Sequence, residues 1–256
     1  MKFITIDPTN LDSEHVCCAI GADQANTARA ATKKEWMRAR FKKDGLVFKR
    51  LDERGKMFVE YMPIESVWKP ISGKNYLVIN CLWVSGKFKG RGVAQALLDE
   101  CVKDAKKQKR AGVAVVTSNR VKPFLTDPKF YKRHGFETVD TAPPYFELLA
   151  LRLDPRSPAP KFKSAAKAGR CENKQGFTFI YSNQCPFMEE YVQTLAGIAA
   201  GKKAPTNIVK LKTGAEARRL GSPFGTLGIY YQGELVAHDL MPEKKFGQFV
   251  DGLLQS

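Results

Sequence analysis

The sequence predicts a mixed α/β (α+β) protein, in which a central mixed sheet flanked by helices is followed by a smaller second domain. Three observations carry this prediction. Residues 75–84 form an apolar stretch that leads into a glycine-containing turn and then into an amphipathic helix. Further strands and helices are predicted on both sides of this unit. Residues 155–174 are rich in proline and basic side chains, which is typical of a linker. The expected domains are therefore 1–154 and 175–256, joined by the linker 155–174.

The N-terminal part of the first domain is expected to alternate short strands with helices. A long helix is expected from Asp23 to about Lys43, because basic residues crowd its last turns and Gly45 follows as a stop signal. The hairpin after this helix turns at residues 52–55. The order expected here is a strand at 3–6, a short helix at 13–21, the long helix, and strands at 46–51 and 57–62.

The turn at residues 85–92 has the composition of a phosphate-binding site. Gly90 and Gly92 allow main-chain N–H groups to turn toward one point at the start of the following helix. Free N–H groups and the helix dipole both attract anions at that point. The apolar face expected for this helix consists of Ala94, Leu97, Leu98, Cys101, Val102 and Ala105.

Two common phosphate-binding motifs do not fit this turn. A Walker loop needs Gly-x4-Gly-Lys-Ser/Thr, which the sequence lacks. A dinucleotide fingerprint needs a third glycine where Gln95 stands. The remaining alternative is a sharp strand-to-helix turn that binds no ligand.

The turn and the elements after it resemble the GNAT acetyltransferases. Lys89-x-x-Gly92-x-Ala94 is similar to their motif A, with lysine in place of the usual arginine or glutamine. Residues 129–136 (KFYKRHGF) resemble their motif B, an aromatic-rich helix ending in Gly-Phe, and residues 111–118 are the strand between the two motifs. The predicted sheet is completed by strands at 136–139 and 145–153.

The segments INCLWVSGKFKG and APPYFELL further resemble the YoaP-type subfamily, and that resemblance extends nearly to the C-terminus. It implies a sheet in which two central parallel strands splay apart and acetyl-CoA enters between them. It also implies direct transfer of an acetyl group from acetyl-CoA to an amine, without a covalent acyl-enzyme. The acceptor, a small molecule or a peptide, is not identified by the sequence, because one fold serves many acceptors.

The same resemblance assigns roles to individual residues. Tyr131 is the expected proton donor to the departing thiolate, and its alternative role is an aromatic residue packed on the sheet. The general base stays open among Glu60, Glu65, His134, Asp140, Glu147 and ordered water. The cofactor-binding residues implied are Leu82, Trp83, Val84, Lys89, Gly90, Arg91, Gly92, Val93, Ala94, Asn119 and Phe124.

Several of these residues have an ordinary structural alternative. Leu82 can be a core strand residue as well as a ligand of the thioester. Asn119 can be a capping or turn residue. Phe124 is expected to pack either on the cofactor or in the core.

Residues 175–256 resemble a compact thioredoxin-like domain. The segment YSNQCPFM is similar to the start of a glutaredoxin, with Met188 in the place of the resolving cysteine. Cys185 is the candidate thiol, because a helix start lowers the pKa of a thiol, and Pro223 is the candidate cis-proline facing it. The elements expected are strands at 177–182, 207–211, 226–231 and 234–240, a helix that follows residues 183–188 and reaches about residue 200, and helices at 213–220 and 242–254.

Cys185 also gives the sequence an alternative function. The protein could be a thiol-binding or redox-sensing protein that uses Cys185, with the GNAT-like domain binding a CoA thioester. The opposite interpretation is a thioredoxin-like scaffold that covers the transferase or binds its acceptor.

Composition limits the remaining classes. The formal net charge of +16 suits a polyanionic cofactor; it also suits nucleic acid, but no nucleic-acid motif is present, so a basic surface is favoured. No apolar run reaches the ~20 residues of a membrane span, and no signal peptide is expected, so we expect no membrane partner and a cytoplasmic protein. Six cysteines without Cys-x-x-Cys pairs and three distant histidines argue against a disulfide scaffold and a metal site.

Overall fold

In the computed structural model, which describes residues 1–122 and 124–255, the chain divides into two units. The first unit is formed by Met1–Val67 and Ile71–Phe162. The second is formed by Trp68–Pro70 and Lys163–Ser256. Each unit has its own sheet and its own hydrophobic core.

The first unit is built around a seven-stranded mixed sheet with the order β1-β2-β3-β5-β6-β8-β7. A two-stranded sheet, β4-β9, accompanies it. The elements of this unit are β1 (Phe3–Ile6), α1 (Gln24–Asp44), β2 (Val47–Leu51), β3 (Met57–Pro63), β4 (Ile71–Ser72), β5 (Tyr76–Val84), a 3₁₀ turn (Gly86–Phe88), α2 (Val93–Lys107), β6 (Gly112–Ser118), α3 (Pro128–Arg133), β7 (Glu137–Ala142), β8 (Phe146–Arg152) and β9 (Lys161–Phe162).

The middle of the seven-stranded sheet opens between β5 and β6. These two strands are parallel and pair only over Tyr76–Ile79 and Gly112–Val115. Beyond those residues β5 continues to Val84 along β3, and β6 continues to Ser118 along β8. The opening agrees with the splayed strands that the resemblance implied, and it leaves main-chain groups of both strands without a strand partner on one side.

Helix α2 is the crossover between these two strands and covers one face of the sheet. Its predicted apolar face is confirmed, since Leu97, Leu98 and Cys101 are fully buried against the strands. The helix begins directly at Gly92, which has the left-handed φ of 74° that only glycine adopts without strain. Short connections and right-handed crossovers are the rule for such β-α-β units.

Helix α1 ends where the sequence predicted. The side chain of Asp23 caps its start by accepting from Asn26 N, and Gly45, with a φ of 66°, terminates it. The helix predicted at 13–21 is wrong, because these residues form turns and bends. Tertiary contacts hold them in that form: Glu14 pairs with Arg50, and His15 Nε2 hydrogen-bonds to Gly55 O.

The second unit has a four-stranded sheet with the order β11-β10-β12-β13. Strands β10 and β11 are parallel, while β12 is antiparallel to both of its neighbours. The elements are α4 (Ser164–Ala168), β10 (Phe177–Tyr181), α5 (Met188–Gly201), β11 (Thr206–Lys210), α6 (Gly214–Ala217), β12 (Leu227–Tyr231), β13 (Glu234–Ala237) and α7 (Glu243–Gln255). Helices α5 and α7 bury apolar residues against β10 and β12, which forms the core of this unit.

Residues 155–174 are more ordered than a linker would be. Strand β9 pairs with β4, and α4 follows one residue later and ends at Gly169. The last of the three clustered prolines is Pro160, so none of them removes a hydrogen-bond donor from β9 or α4. Residues up to Phe162 belong to the first unit and those from Lys163 to the second.

Candidate functional site

The residues from Gly86 to Gly92 form an exposed cradle between β5 and α2. Gly86, Gly90 and Gly92 have φ angles of 63°, 74° and 74°. A Cβ atom built on any of them would meet no atom of the described chain within 4 Å, so the cradle faces open space. Lys87, Lys89 and Arg91 alternate with these glycines and are exposed, so positive charge surrounds the cradle.

The N-terminus of α2 supplies hydrogen-bond donors to this cradle. The first intrahelical bond runs from Ala96 N to Gly92 O, at 3.0 Å. The N–H groups of Val93, Ala94 and Gln95 therefore have no acceptor within the helix. A cavity of about 350 Å³ touches the start of the helix at Val93 and Arg91, and its opposite lining includes Asp52 and Glu53. Helix-terminal N–H groups together with the helix dipole are suited to a phosphate oxygen.

The opening between β5 and β6 begins at a β-bulge. Glu60 pairs with Cys81 and Tyr61 pairs with Ile79, so Asn80 is an extra residue on β5. The bulge coincides with the last paired residue of β5 and β6. It therefore marks the point from which the two strands diverge.

A hydrogen-bonded bridge spans the opening beyond the bulge. The Thr126 hydroxyl donates to Leu82 O at 3.1 Å, and Thr117 Oγ1 donates to Thr126 O at 2.7 Å. Leu82 lies on β5 and Thr117 on β6, so Thr126 connects the two separated strands. Because the N–H and C=O of a strand residue leave on the same side, the Leu82 N–H also faces the opening.

Tyr131 reaches this bridge from α3. Its side chain is 1 % exposed and packs against Phe130 and Phe136. Burial raises the pKa of the Tyr131 phenol, and the interaction with Thr126 acts in the opposite direction. The phenol therefore stays protonated at neutral pH. The structure thus places Tyr131 beside Thr126, whose hydroxyl bonds the Leu82 main chain, and both Tyr131 and Leu82 were singled out by the sequence.

Other sequence-predicted residues lie on the rim of the opening. Val84 packs on the core below α2, and Trp83 is half-buried on β5. Asn119 directly follows β6, is exposed, and donates its N–H to Tyr145 O, as a turn residue does. The expected packing of Phe124 in the core is wrong: its side chain is 46 % exposed, because a φ of 67° turns the chain at this residue.

The candidate bases have different surroundings. Glu60 is fully buried, ion-pairs with Lys33 and accepts a hydrogen bond from Asn80 Nδ2 at 3.1 Å. The Oδ1 atom of that asparagine is buried and has no partner within the described chain. Glu147 pairs with Lys132 on the exposed side of α3. Glu60 is thus the acidic candidate that, through Asn80, reaches the bulge where the strands diverge.

The remaining candidates are engaged in local structure. His134 is the C-cap of α3, with its Nδ1 atom 2.7 Å from Phe130 O. Gly135 is the next residue and takes the left-handed conformation, with a φ of 81°. Asp140 accepts from Phe162 N, and Glu65 accepts from Asn75 N. Each of these hydrogen bonds gives its residue a structural role, so no catalytic role is needed to account for it.

In the second unit Cys185 does not lie at the first turn of a helix. Helix α5 begins at Met188 with Phe187 as N-cap, so the half-buried Cys185 is two residues further out. The Ser222–Pro223 peptide bond is trans, which corrects the expectation of a cis-proline. The reason is local: Pro223 occupies the second position of a turn closed by Gly225 N and Ser222 O at 3.1 Å, where the trans form fits.

Sequence reasoning missed Thr126, Thr117 and Asn80. Thr126 lies in the loop after β6, and only the tertiary structure connects it to Leu82, which is 44 residues away in the chain. Asn80 stands inside an apolar strand, so a polar residue on a buried strand was the one available signal for the bulge.

Two family models and one full-length relative match this chain. Residues 53–138 match the family model of the acetyltransferase (GNAT) domain, and residues 205–248 match the model described as YoaP-like. A protein of Bacillus subtilis (strain 168), described as the uncharacterized N-acetyltransferase YoaP, is 36 % identical over 253 residues. That similarity covers 99 % of this chain and 100 % of the relative. The chain belongs to the YoaP-type GNAT N-acetyltransferases.

As a GNAT N-acetyltransferase, this protein is an acyltransferase of class EC 2.3.1. Its fold is the α+β GNAT fold with a mixed central sheet, followed by a second, smaller mixed sheet. No helix within residues 1–122 and 124–255 is both long and apolar enough to cross a bilayer. In the same residues no three His, Cys, Asp or Glu side chains are grouped to hold a metal ion.

Solved structures of low sequence identity resemble part of this GNAT enzyme. One is a GNAT-family acetyltransferase from Desulfovibrio desulfuricans, with 15 % identity and a TM-score of 0.43, covering 59 % of this chain and 98 % of its own. Another is the PaiA N-acetyltransferase of Thermoplasma acidophilum in complex with coenzyme A, with 16 % identity and a TM-score of 0.42. It covers 59 % of this chain and 99 % of its own.

Proposed function

We propose that this GNAT enzyme transfers the acetyl group of acetyl-CoA directly to an amine in a ternary complex. The observation that carries the proposal is the opening between β5 and β6, with Tyr131 buried at its wall and the free N–H groups of α2 at its mouth. This arrangement offers a phosphate cradle, then a narrow slot, which is the opening between β5 and β6, and then a proton donor at the wall of that slot. The site residues predicted from the sequence remain proposals in this scheme.

The cradle fits the diphosphate of acetyl-CoA. Its glycines leave the space above the main chain open, and the N–H groups of Val93–Gln95 lack acceptors in the helix. Arg91 and the neighbouring lysines add positive charge that raises the local concentration of a polyanion. Three main-chain N–H groups and three basic side chains therefore lie along this turn, which suits a group that carries negative charge.

The slot fits the thioester end of the same molecule. The Leu82 N–H faces the opening and is placed to bond the thioester oxygen, more strongly as negative charge develops on that oxygen. Burial raises the pKa of the Tyr131 phenol, so the side chain keeps its proton at neutral pH and can give it to the departing sulfur. In this scheme the protein accelerates the reaction mainly by orientation and electrostatic stabilisation.

Acetyl-CoA binding and turnover test the proposal together. At a concentration 100 times its Kd, acetyl-CoA should stabilise the first unit by about 2.7 kcal/mol, visible as a rise in Tm of several degrees. A panel of amines and peptides should then reveal an acceptor that releases CoA, and Tyr131→Phe should lower kcat about 100-fold or more. No thermal shift at millimolar acetyl-CoA would contradict the proposal.

We further infer that the second unit is thioredoxin-like. The order β11-β10-β12-β13, with one parallel pair followed by an antiparallel hairpin and a final helix, supports this inference. Met188 is buried in the core at the position of a resolving cysteine, so Cys185 has no neighbouring thiol for dithiol exchange. We therefore favour a scaffold role, and a mixed disulfide between Cys185 and glutathione would contradict it.

A further inference from the structure

Asn80 lies at the inner end of the opening between β5 and β6. It is the extra residue of the β5 bulge and directly follows Ile79, the last residue of β5 that pairs with β6. Leu82, whose N–H faces the opening, is two residues further along the strand. A ligand held by the Asn80 side chain would therefore lie beside the slot that we assign to the thioester.

The Asn80 side chain is on the face of the sheet that α1 covers. Val59 and Tyr61 pack in the core beneath α2, so Glu60, which stands between them on β3, points to the other face. On that face Lys33 of α1 ion-pairs with Glu60, and Asn80 Nδ2 donates to Glu60 Oε1 at 3.1 Å. The cradle lies at the start of α2, so Asn80 and the cradle belong to opposite faces of the sheet.

The hydrogen bond to Glu60 fixes which end of the Asn80 amide stays available. The Glu60 carboxylate is fully buried and only accepts hydrogen bonds, so the amide nitrogen faces it. The amide oxygen Oδ1 is directed elsewhere, and it is buried without a hydrogen-bond partner within the described chain. Buried polar atoms are normally hydrogen-bonded, and an amide oxygen only accepts, so the group that is missing here is a donor.

We infer that Asn80 Oδ1 accepts a hydrogen bond from the amine that receives the acetyl group and so directs the nitrogen lone pair at the thioester carbon. This inference rests on the proposed function. An amine brings N–H donors to the reacting end of the slot, which is what the unpartnered oxygen lacks. The ion pair of Lys33 with Glu60 leaves no net charge beside Asn80, and low polarity favours the uncharged amine, the form whose lone pair can attack.

The Asn80 oxygen holds a hydrogen of the amine but does not take its proton. The nitrogen lone pair forms the carbon–nitrogen bond, and the sulfur leaves with the electron pair of the carbon–sulfur bond and the Tyr131 proton. The nitrogen then loses one proton to solvent, and solvent returns one to Tyr131. A primary amine can lose one hydrogen while the other stays on Asn80, whereas a secondary amine has a single hydrogen for both purposes. Asn80 therefore favours primary amines.

Asn80→Leu keeps the size of the side chain and removes the amide. The probes are glycinamide, a primary amine, and its N-methyl derivative sarcosinamide, a secondary amine, at about pH 8, where α-amino groups are partly uncharged. The variant should lower kcat/KM for glycinamide about 10-fold, and the preference for glycinamide over sarcosinamide should shrink by a similar factor. The Kd of acetyl-CoA should not change. Asn207→Leu, at an exposed position of the second unit, is the matched control.

A binding measurement tests the same contact without turnover. CoA carries no acetyl group, so the enzyme with CoA and glycinamide cannot react. In protein labelled with ¹⁵N-asparagine, the side-chain amide signals of Asn80 are assigned by their absence in Asn80→Leu. Glycinamide should shift these signals in a saturable manner. Propionamide, in which a methyl group replaces the amine, is the control and should leave them in place.

The outcomes separate the inference from the proposed function. If acetyl-CoA does not bind, the proposed function fails and the inference fails with it. If acetyl-CoA binds but glycinamide leaves the Asn80 signals unshifted, the inference alone fails, even where Asn80→Leu is slow, because leucine would then act by distorting the bulge. Equal shifts from glycinamide and propionamide would also overturn it, since the contact would not depend on the amine. An unchanged kcat/KM for glycinamide in folded Asn80→Leu would do the same.

Discussion

The two units each contain a strand that leads into a helix beside a parallel neighbour, and the two junctions are built in opposite ways. In the first unit, residues 85–92 connect β5 to α2. In the second, residues 182–187 connect β10 to α5. Both strands have a parallel partner, β6 and β11 respectively.

The first junction exposes its main chain, whereas the second fills the same place with side chains. Gly86, Gly90 and Gly92 are exposed and have positive φ angles. Residues 182–187 contain no glycine, and Ser182 and Asn183 are buried there. Asn183 interacts with Glu189 in the first turn of α5, while Ser182 Oγ and Asn183 Oδ1 are buried without a hydrogen-bond partner in the described part of the chain.

The comparison shows that topology alone does not make an anion site. A strand-to-helix turn offers free N–H groups in both units, because every helix begins with them. In the first junction, the open space at Gly86, Gly90 and Gly92 leaves room for a ligand next to these groups.

Gly92→Glu should remove the capacity of the first junction to bind acetyl-CoA. The new side chain places bulk and negative charge above the cradle, and like-charge contacts cost several kcal/mol, so the Kd should rise on the order of 100-fold. Isothermal titration with acetyl-CoA measures the change. Gly169→Glu is the matched control, because Gly169 has a similar φ of 64° but lies in the second unit. Equal loss of affinity in both variants would contradict the cradle.

Asn183→Ala should destabilise the second junction and leave acetyl-CoA affinity unchanged. The variant loses the interaction with Glu189 and should lower the free energy of unfolding by about 1 kcal/mol. Urea unfolding followed by circular dichroism measures the loss. Asn207→Ala, at an exposed position of the same unit, serves as control and should be neutral. A weaker Kd for acetyl-CoA in Asn183→Ala would show that the second junction also contributes to binding.

Arg91→Ala should weaken acetyl-CoA binding only a few-fold, and the deficit should shrink at high salt. Arg91 is exposed, so its charge acts through solvent and is screened by ions. Titrations at 50 mM and 500 mM salt measure the effect. Lys107→Ala, an exposed change at the opposite end of α2, is the control. A deficit in Arg91→Ala that does not depend on salt would point to a specific contact instead.

Glu189→Gln should produce the smallest effect, and it should depend on pH. Burial alone would raise the pKa of Glu189, but hydrogen bonds with Lys210 and Tyr181 outweigh it, so the pKa is lowered in the folded protein. A lowered pKa stabilises the fold at neutral pH, and that contribution is lost as the pH falls below about 4.5.

The stability difference between wild type and Glu189→Gln should therefore be below about 1 kcal/mol at pH 7 and should vanish in acid. Denaturation at pH 7 and pH 3.5 measures it. Glu243→Gln, a first-turn change in α7, is the control. A stability difference that grows toward low pH would contradict the lowered pKa assigned to Glu189 in the folded protein.

Much of the first junction could be predicted from the sequence because its signals are local. The apolar run of β5, the two glycines and the 3.6-residue period of α2 each specify structure over a few residues. Asp23 and Gly45 predicted the ends of α1 for the same reason. In the second junction the sequence predicted the helix after residues 183–188 and up to about residue 200, as observed, but it placed Cys185 at the helix start, whereas residues 183–187 form turns and a bend before α5 begins at Met188.

The sequence by itself determined most strands, the long helices and the glycine turn of this GNAT enzyme, since each depends on neighbours in the chain. Tertiary structure decided the rest. It cancelled the helix at 13–21 through the Glu14–Arg50 ion pair, and it turned Phe124 outward. It also brought Thr117, Thr126 and Leu82 into one hydrogen-bonded bridge, which no local pattern encodes, because contacts between distant segments exist only once the sheet has assembled.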